Sequence, residues 1–282
     1  MKILIFGKNG FVASNLISKF KEEKIKFRAF SKKELNLLSE SSSKKLRKTK
    51  KGNYKIIFLS TLTPDKGKDE VTFIKNITMI SNFFKFFPIK YINHFIYISS
   101  DAVFNINDKM ISDRTKPDPQ DLYGFMHLIR EKIIQAKIAG RNYTILRPVA
   151  VYGPGDTHNS YGPNRFSRQL KNNEKINIFG KGLDVRSHLY IQDLVKIIYL
   201  VNNKKIFGTL NISPLKSYSF IDVAKKIINN FDKNLKYKDH INFIKNNKLP
   251  TKRRFKNLKI NKFFKSKDMT DINKGLYKLM FS

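Results

Sequence analysis

The feature that most constrains this chain is a short apolar run that ends at a glycine and leads into a helical pattern. Residues 3–6 (ILIF) predict a buried strand, Gly7 permits a tight turn, and residues 9–24 carry apolar side chains at helical spacing. Gly10 lets a ligand approach the backbone, and the small Ala13 allows close contact between helix and strand. A helix N-terminus placed in this way offers free N–H groups and its positive dipole end to phosphates. The segment therefore predicts a dinucleotide-binding loop, with an ordinary strand-to-helix turn as the alternative.

The rest of the first half repeats this alternation of strand and helix. Further strands are predicted at residues 27–30, 55–60, 95–99 and 143–146, and helices at 71–86 and 122–139. Repeated units of this kind are typical of a doubly wound parallel sheet with helices on both faces. We therefore expect an α/β fold of Rossmann type, with a dinucleotide-binding domain over residues 1–150.

After Pro148 the pattern loosens. Gly, Pro and Asn crowd residues 153–164 and predict a long loop. Beyond it the sequence predicts a strand at 176–179 and helices at 191–201, 220–231 and 271–280. No linker long enough to separate independent domains is evident. We expect residues 151–282 to form a smaller substrate-binding lobe that is interleaved with the sheet.

The end of the second predicted strand bears on the choice of cofactor. A site that prefers NAD usually places an acidic residue there to hold the ribose 2′-hydroxyl. Here the strand ends in Phe30-Ser31-Lys32-Lys33, a hydroxyl and two cations, which suits a 2′-phosphate. NADP is therefore expected in preference to NAD, although lysines placed by chance are the alternative in so lysine-rich a chain.

The formal net charge of +34 has two interpretations. A polyanion such as nucleic acid is one. Compositional drift is the other, because lysines are spread along the whole chain and the dense segments 41–51 and 248–259 lack the interleaved aromatics of a single-strand binder. We favour drift and expect no nucleic-acid partner, while noting that the charge suits an anionic small substrate.

The absence of cysteine excludes disulfides, thiolate metal sites and a cysteine nucleophile. The five histidines show no metal-ligand spacing with carboxylates, so no metal site is expected. No apolar run approaches the roughly 18–20 residues of a membrane span. The first apolar run is also shorter than the roughly 7–15 residues of a signal-peptide core. A cytoplasmic protein without a membrane partner is the expectation.

Seven segments occur in the order and at the spacing of one known family. They are the GxxGxxA loop at 7–13, FLS at 58–60, Asn76, YISSDAVF at 97–104, YGFMHLIRE at 123–131, LRPVAVYGPGD at 146–156 and RSHLYIQD at 186–193. The chain resembles the extended short-chain dehydrogenase/reductases, which are NAD(P)-dependent nucleotide-sugar epimerases, dehydratases and reductases. The segments SKKELNLL (31–38) and SSDAVF (99–104) are especially similar to dTDP-4-dehydrorhamnose reductases.

The resemblance implies a catalytic set with one departure. Ser100 matches the hydroxyl that binds the reacting oxygen, and Tyr123 matches the tyrosine that acts as general acid or base. The family lysine, four residues further on, holds the nicotinamide ribose and lowers the tyrosine pKa, but here that position is His127. A histidine can hydrogen-bond a ribose hydroxyl but is no permanent cation near pH 7. An active enzyme with a retuned tyrosine, a dinucleotide-binding protein with weak or lost catalysis, and a merely packing His127 all stay open.

The loop pattern and the resemblance together assign the remaining contacts. The expected cofactor contacts are Gly7, Asn9, Gly10, Phe11, Val12, Ser31, Lys32, Leu59, Ser60, Asn76, Ser99, Tyr123, His127, Pro148 and Val149. The expected nucleotide-sugar contacts are Tyr161, Asn164, Arg165, Ile178, Phe179, Arg186 and Arg253. For the arginines a solvated surface charge is the alternative. Relatives often dimerise through two helices, here 71–86 and 122–139, so a homodimer is also expected.

Overall fold

The computed structural model describes residues 1–138, 140, 142–157, 162–256 and 258–281. The chain forms two compact units and passes between them several times. The first comprises Met1–Phe104, Pro117–Arg147 and Val195–Leu210, and the second comprises Asn105–Lys116, Pro148–Leu194 and Asn211–Ser282. The boundary expected at residue 150 lies close to the crossing after Arg147. An interleaved lobe was expected, but the segments that cross, 105–116 and 195–210, were not predicted, because periodicity does not reveal which core a segment joins.

The elements are numbered in chain order. The strands are β1 (Lys2–Phe6), β2 (Phe27–Phe30), β3 (Tyr54–Phe58), β4 (Ile92–Ile98), β5 (Met110–Ile111), β6 (Tyr143–Pro148), β7 (Ala150–Tyr152), β8 (Ile176–Phe179), β9 (Val185–Arg186), β10 (His188–Tyr190), β11 (Gly208–Ile212), β12 (Tyr218–Ser219), β13 (Ile241–Ile244) and β14 (Arg254–Phe255). The α-helices are α1 (Phe11–Glu22), α2 (Glu40–Ser43), α3 (Glu70–Phe86), α4 (Leu122–Lys137), α5 (Gly162–Lys171), α6 (Ile191–Lys204), α7 (Phe220–Phe231), α8 (Tyr237–His240) and α9 (Ile272–Met280). Short 3-10 helices span Lys44–Lys48, Ile89–Tyr91, Asp101–Val103, Lys259–Lys262 and Ser266–Asp268. Within the described residues no helix is both long and apolar enough to cross a membrane.

The central sheet has six strands in the order β11-β6-β4-β3-β1-β2. The pairs β1–β2, β1–β3, β3–β4 and β4–β6 are all parallel. The chain runs outward from β1 to β2 and then returns to β3 on the other side of β1. The strand order therefore reverses between β1 and β3, which is where open α/β sheets bind ligands. The predicted α/β fold with a parallel sheet of Rossmann type is confirmed.

Apolar side chains on both faces of the sheet form the core. On one face, Phe6 and Phe58 pack edge-on against Phe83 of α3, with ring centroids 5.1 and 5.6 Å apart. Successive strand side chains point to opposite faces, so the buried Ile3 and Ile5 belong to the other face. Burial of both faces explains why β1 is a continuous apolar run rather than an alternating pattern.

The second unit is built from two-stranded pairs and helices. The pairs β7–β10, β8–β13 and β5–β14 are parallel, and β9–β12 is antiparallel. Helices α5, α7 and α9 pack on one another within this unit. The predicted strand at 176–179 and helix at 220–231 have the expected bounds. Asp271 caps α9 by accepting a hydrogen bond from the Asn273 N–H.

Candidate functional site

The two glycines of the N-terminal loop have different structural reasons. Gly7 has φ +98°, and an added Cβ would lie 2.8 Å from backbone atoms of Leu59 and Ser60, so only glycine fits. Gly10 has φ −78° and is the N-cap of α1, with no side-chain cap on the helix. An added Cβ there would meet only the Gly7 carbonyl, at 3.4 Å. Protein packing does not require glycine at position 10, which fits close approach by a ligand.

One cavity of about 300 Å³ brings many of the expected cofactor residues together. Its walls come from the loops that follow β1, β2 and β3, at the strand-order reversal. The expected residues that line it are Gly7, Asn9, Gly10, Ser31, Lys32, Leu59 and Ser60. Phe11 and Val12 form the first turn of α1 and are half-buried. A helix N-terminus with uncapped N–H groups beside such a cavity suits a pyrophosphate.

A carboxylate lies at the expected 2′-phosphate position. Oε2 of Glu34 accepts hydrogen bonds from the Ser31 N–H and hydroxyl, at 2.8 and 2.7 Å. These bonds lower the pKa of Glu34. The Lys8 ammonium lies 3.9 Å from the same oxygen, and Lys32 is exposed. Glu34 was not predicted as part of this site, although its spacing of three residues from Ser31 is typical of such a side-chain cap.

Asn76 acts through the loop that lines the cavity. Its side-chain oxygen accepts from the Leu62 N–H at 2.9 Å, and its amide group donates to the carbonyls of Leu62 and Thr72. The buried Arg130 donates to the Asn76 carbonyl and also to the Ser60 carbonyl and the Thr61 hydroxyl. The cavity wall formed by residues 60–62 is thus fixed from behind by an amide and a guanidinium.

Ser99 belongs to a buried ion-pair network. Its hydroxyl donates to Oε1 of Glu131 at 2.6 Å. The Arg147 guanidinium donates to both oxygens of Glu131, at 2.9 and 2.5 Å. Glu131 is 1% exposed. This network anchors the end of β4 to α4 and β6, next to the loop that carries Ser100.

Helix α4 presents Tyr123 beside the Ser100 loop. A Cβ on Gly124 would lie 2.2 Å from the Ala102 carbonyl oxygen, so glycine alone lets the first turn of α4 approach so closely. Asp121 caps this turn by accepting from the Gly124 N–H at 2.7 Å. The Ser100 hydroxyl accepts from the Ala102 N–H at 3.1 Å. The two expected catalytic hydroxyl groups therefore belong to segments in direct contact.

His127 is buried and neutral. It is 1% exposed, and its Nδ1 lies 2.7 Å from the Tyr97 hydroxyl. Burial, followed by the charge of Arg130, holds its pKa well below the ordinary value. The edge-on ring of Tyr123 lies 4.6 Å away between centroids. His127 therefore cannot supply the positive charge that the resemblance assigns to its position.

Asn164 clamps a loop of the second unit. Its amide exchanges hydrogen bonds with both backbone groups of Gly153, at 3.1 Å each, and donates to Asp156 at 2.8 Å. Arg168 donates to the Asp156 carbonyl at 2.7 Å. Asn164 was predicted to contact the ligand directly, and in the structure its amide makes three hydrogen bonds within the protein. Tyr161, the neighbouring expected contact, lies outside the described residues.

Three further expected substrate residues lie around β8. Arg165 donates to the Asn177 carbonyl at 3.0 Å, and its guanidinium lies 5.4 Å from the ring centroid of Phe179. Phe179 is half-exposed and available to stack on a ligand, whereas Ile178 is 1% exposed and part of the core. Of this segment, Phe179 and Arg165 are the side chains that fit a planar ligand.

Arg186 and Arg253 flank the same short backbone segment. Arg186 donates to the carbonyls of Val185 and Thr251 and, at 2.5 Å, to the Thr251 hydroxyl. The backbone N–H of Arg253 donates to the Val185 carbonyl at 3.1 Å, and Arg253 is 7% exposed. A solvated position in a basic tail was the alternative for Arg253, but the residue is buried beside β9.

Pro148 and Val149, the remaining expected cofactor contacts, lie at the end of β6. Pro148 ends β6, and the Val149 N–H donates to the Ile212 carbonyl at 3.0 Å. No group of three or more His, Asp or Glu side chains in the described part of the chain could hold a metal ion. Tyr97, Arg130, Glu131 and Glu34 had no assigned role in the sequence. Their partners are distant in the chain, except for Glu34.

Comparison with known proteins decides the family. The model of the NAD-dependent epimerase/dehydratase family matches residues 3–213. The chain belongs to this family. The epimerase/dehydratase match includes the glycine loop, the Ser100 and Tyr123 segments, and the Arg186 segment. It confirms the resemblance inferred from the motifs.

The proteins to which this chain is similar have names that differ in the reaction they give. A dTDP-D-glucose 4,6-dehydratase of Dictyostelium discoideum is 31% identical over 48% of this chain, and the match covers about a third (34%) of the dehydratase. A GDP-6-deoxy-D-talose 4-dehydrogenase of Aggregatibacter actinomycetemcomitans is 25% identical over 89% of this chain and 87% of its own length. The fold matches that of a UDP-glucose 4-epimerase of Thermotoga maritima with a TM-score of 0.82 at 18% identity, over 100% and 98% of the two chains.

Proposed function

We propose that the protein is an NADP-dependent enzyme that epimerises, dehydrates or reduces a nucleotide-linked sugar. The single observation that carries the proposal is the contact made by Gly124, which joins the Tyr123 helix to the Ser100 loop. Both belong to the unit that contains the uncapped helix N-terminus and the glycine-lined cavity. Family membership and the sugar-nucleotide names of the relatives support the substrate class.

The chain's own residues supply the proton chemistry. When bound, the nicotinamide supplies a hydride donor or acceptor. The phenol of Tyr123 exchanges a proton with the sugar oxygen at the reacting carbon, and the Ser100 hydroxyl hydrogen-bonds the same oxygen. His127 is neutral, so it contributes a hydrogen bond rather than a charge. The buried cation on the same face of α4 is Arg130, seven residues after Tyr123.

The preference for NADP rests on the cations beside the cavity. Lys8 and Lys32 line it, and both can approach a 2′-phosphate. Glu34 opposes them, because its carboxylate occupies the Ser31 hydroxyl and lies near Lys8. We therefore propose a modest preference for NADP, with NAD accepted as well.

The substrate-binding role falls to the second unit. Arg186 donates through its guanidinium to Thr251, and Arg253 is joined to Val185 through its backbone N–H. Two arginines on this short segment suit a diphosphate. Phe179 offers an exposed aromatic face beside the Arg165 guanidinium, which suits a nucleobase. Asn164 holds the Gly153–Asp156 loop in shape rather than binding the sugar nucleotide directly.

A substrate panel tests the enzyme proposal. Purified protein is incubated with UDP-, GDP- and dTDP-linked sugars and NADP(H) or NAD(H), and products are followed by chromatography and absorbance at 340 nm. We expect turnover of at least one sugar nucleotide. In Tyr123→Phe it should fall about 10²–10⁴-fold, while calorimetry finds that a nicotinamide dinucleotide still binds. Equal turnover in Tyr123→Phe would overturn the catalytic assignment, and failure to bind either dinucleotide would overturn the proposal as a whole.

A dinucleotide-binding protein without efficient catalysis is the second candidate. It is favoured by one observation, the neutral and buried His127 where the family has a lysine. Tight nicotinamide binding without turnover of any sugar nucleotide would support it. His127→Lys is a weak rescue test, because a new ammonium would be buried beside Arg130.

We also propose a homodimer formed through α3 and α4. Large apolar side chains are exposed on both helices, at helical spacing: Val71, Ile74, Leu122, Phe125 and Ile129. A second copy of the chain would cover them through the same surface. Light scattering should give a mass of about twice 33.0 kDa for the wild type and a monomer for Phe125→Glu. A monomeric mass for the wild type as well as for Phe125→Glu would overturn this proposal.

A further inference from the structure

The two nitrogens of the buried His127 imidazole differ in their hydrogen bonding. Nδ1 lies 2.7 Å from the Tyr97 hydroxyl. Nε2 is buried and has no hydrogen-bond partner among the residues that the structure describes. An orphaned polar atom in a buried position costs free energy unless a ligand satisfies it.

The direction of the Tyr97–His127 hydrogen bond follows from Arg130. Tyr97 is fully buried, and burial raises its pKa to about 12, so its hydroxyl is protonated near pH 7. The Arg130 guanidinium lies 5.9 Å from the Tyr97 ring centroid and acts on Tyr97 through its charge. A guanidinium only donates, and its charge turns the phenol oxygen towards it and the phenol proton away. Within the described residues, the acceptor left for that proton is Nδ1 of His127.

The alternative arrangement satisfies fewer groups. If Nδ1 carried the proton and donated to Tyr97, the phenol proton would face a cation and Nε2 would still be orphaned. With Tyr97 donating, the one unmet group is the Nε2–H. A neutral imidazole has a single ring proton, so the donating Tyr97 puts that proton on Nε2.

Arg130 is itself fixed by hydrogen bonds, so its charge acts on the Tyr97 hydroxyl from a constant position. It is 0% exposed and its Nε and Nη2 donate to the Asn76 carbonyl at 3.0 and 2.6 Å. Its Nη1 donates to the Ser60 carbonyl and the Thr61 hydroxyl, at 3.0 and 2.9 Å. Ser60 and Thr61 line the glycine-loop cavity. One guanidinium thus fixes both the cavity wall and the polarity of the Tyr97–His127 pair.

We propose that Tyr97 and Arg130 are positioning residues that hold His127 as its Nε2–H tautomer, so that Nε2 donates a hydrogen bond to a hydroxyl of the bound dinucleotide. The assignment rests on the proposed nicotinamide site. It goes beyond it by giving the histidine a fixed donor polarity and naming the two residues that impose it. The departure from lysine then retains the hydrogen bond at this position and gives up the charge.

Nuclear magnetic resonance of the ¹⁵N-labelled imidazoles tests the tautomer directly. In the protein without ligand at pH 7, we expect the His127 Nε2 to give the shift of a protonated nitrogen and Nδ1 that of an unprotonated one. His127→Gln assigns the signals. In Tyr97→Phe the two nitrogens should move towards averaged shifts. A wild-type Nδ1–H, or an unchanged tautomer in Tyr97→Phe, overturns the proposal.

Binding measurements test the consequence for the ligand. Loss of one oriented hydrogen bond should weaken NADP(H) binding to Tyr97→Phe about five- to tenfold by calorimetry. Tyr54→Phe is the matched control, since Tyr54 is a buried tyrosine of β3 whose hydroxyl donates to the Lys50 carbonyl at 2.9 Å. It should alter stability but neither the tautomer nor the affinity. Equal affinities of Tyr97→Phe and the wild type would refute the ligand contact.

Arg130 variants separate charge from fold. Arg130→Gln offers the Tyr97 proton a competing carbonyl oxygen, so it should release the tautomer, and Arg130→Lys should keep it. If Arg130→Gln does not fold, the Tyr97→Phe comparison still decides. A locked tautomer in a protein that binds no nicotinamide would overturn the proposed function and the ligand contact, but would leave the Tyr97–His127 polarity established. Normal turnover by a protein whose His127 carries its proton on Nδ1 would support the proposed function and overturn the Tyr97–His127 polarity.

Discussion

Replacement of Glu131 by methionine should destabilise the first unit severely. Glu131 is 1% exposed, and its two oxygens accept three hydrogen bonds, two from Arg147 and one from Ser99. The variant leaves the Arg147 guanidinium, whose side chain is 11% exposed, without its carboxylate. Breaking a buried pair in this way costs about 3–5 kcal/mol. About 1 kcal/mol of this cost comes from the Ser99 hydroxyl, which loses its acceptor.

The reciprocal variant and the double variant make this prediction sharp. Arg147→Met should cost a similar amount, because it strands a buried carboxylate. The double variant removes both charges and should cost only about 1–2 kcal/mol, since a buried pair and its apolar replacement are often equal in stability. The two single effects should therefore be far from additive.

Urea unfolding measures these differences. The chain has no tryptophan, so far-ultraviolet circular dichroism is the probe, and an unchanged slope in urea is the check that only stability has changed. Nicotinamide binding by the double variant tells whether the Ser100 loop keeps its shape. Single variants that each cost less than about 1 kcal/mol, or a double variant equal to their sum, would refute the claim that the pair is buried and mutually dependent.

Three further outcomes are expected. Gly7→Ala should abolish nicotinamide binding and cost more stability than Gly208→Ala, because both positions have φ +98° but a Cβ meets backbone only at Gly7; equal costs in thermal melts would contradict the clash. Glu34→Gln should raise affinity for NADP over NAD about two- to fivefold by calorimetry, and no change in the ratio would remove Glu34 from the phosphate position. Burial lowers the pKa of His94 to about 4 from 6.5, so the unfolded state alone gains a proton as pH falls below 6.5. His94 should therefore contribute a loss of about 2 kcal/mol in the free energy of unfolding between pH 7.5 and 5. Burial also lowers the pKa values of His127 and His188, so His94→Gln should reduce the total drop in urea titrations only by this share, and an unchanged drop would contradict a neutral His94.

Local sequence patterns were enough to predict most of the fold. The β1 run, the glycine after it and the helical spacing of α1 specify a strand–turn–helix unit without any distant contact. The parallel sheet was predicted because short, largely apolar runs alternate with helical patterns along the first half of the chain. No helix was predicted between β2 and β3, so α2 with its 3-10 extension was missed. Four-residue helices rest on caps such as Ser39, which carry little periodic signal.

Side-chain roles were predicted less fully, because they depend on partners. Asn76 and Asn164 were expected to touch ligands, yet the amides of both are engaged by backbone of nearby loops. Arg253 looked like part of a solvated tail and is buried. Nothing in a short window of sequence states how many hydrogen bonds a polar side chain will already have made.

The sequence by itself determined that a glycine loop opens a parallel α/β sheet, and it predicts that Ser100, Tyr123 and His127 match the family's catalytic positions. The tertiary structure alone decided the protonation state of the His127 imidazole. The neutral state of its imidazole follows from its burial and from the charge of Arg130. Arg130 is in turn held by carbonyls 54 and 70 residues away in the chain. A pKa and a tautomer are set by distance and solvation, which arise only when the chain is folded.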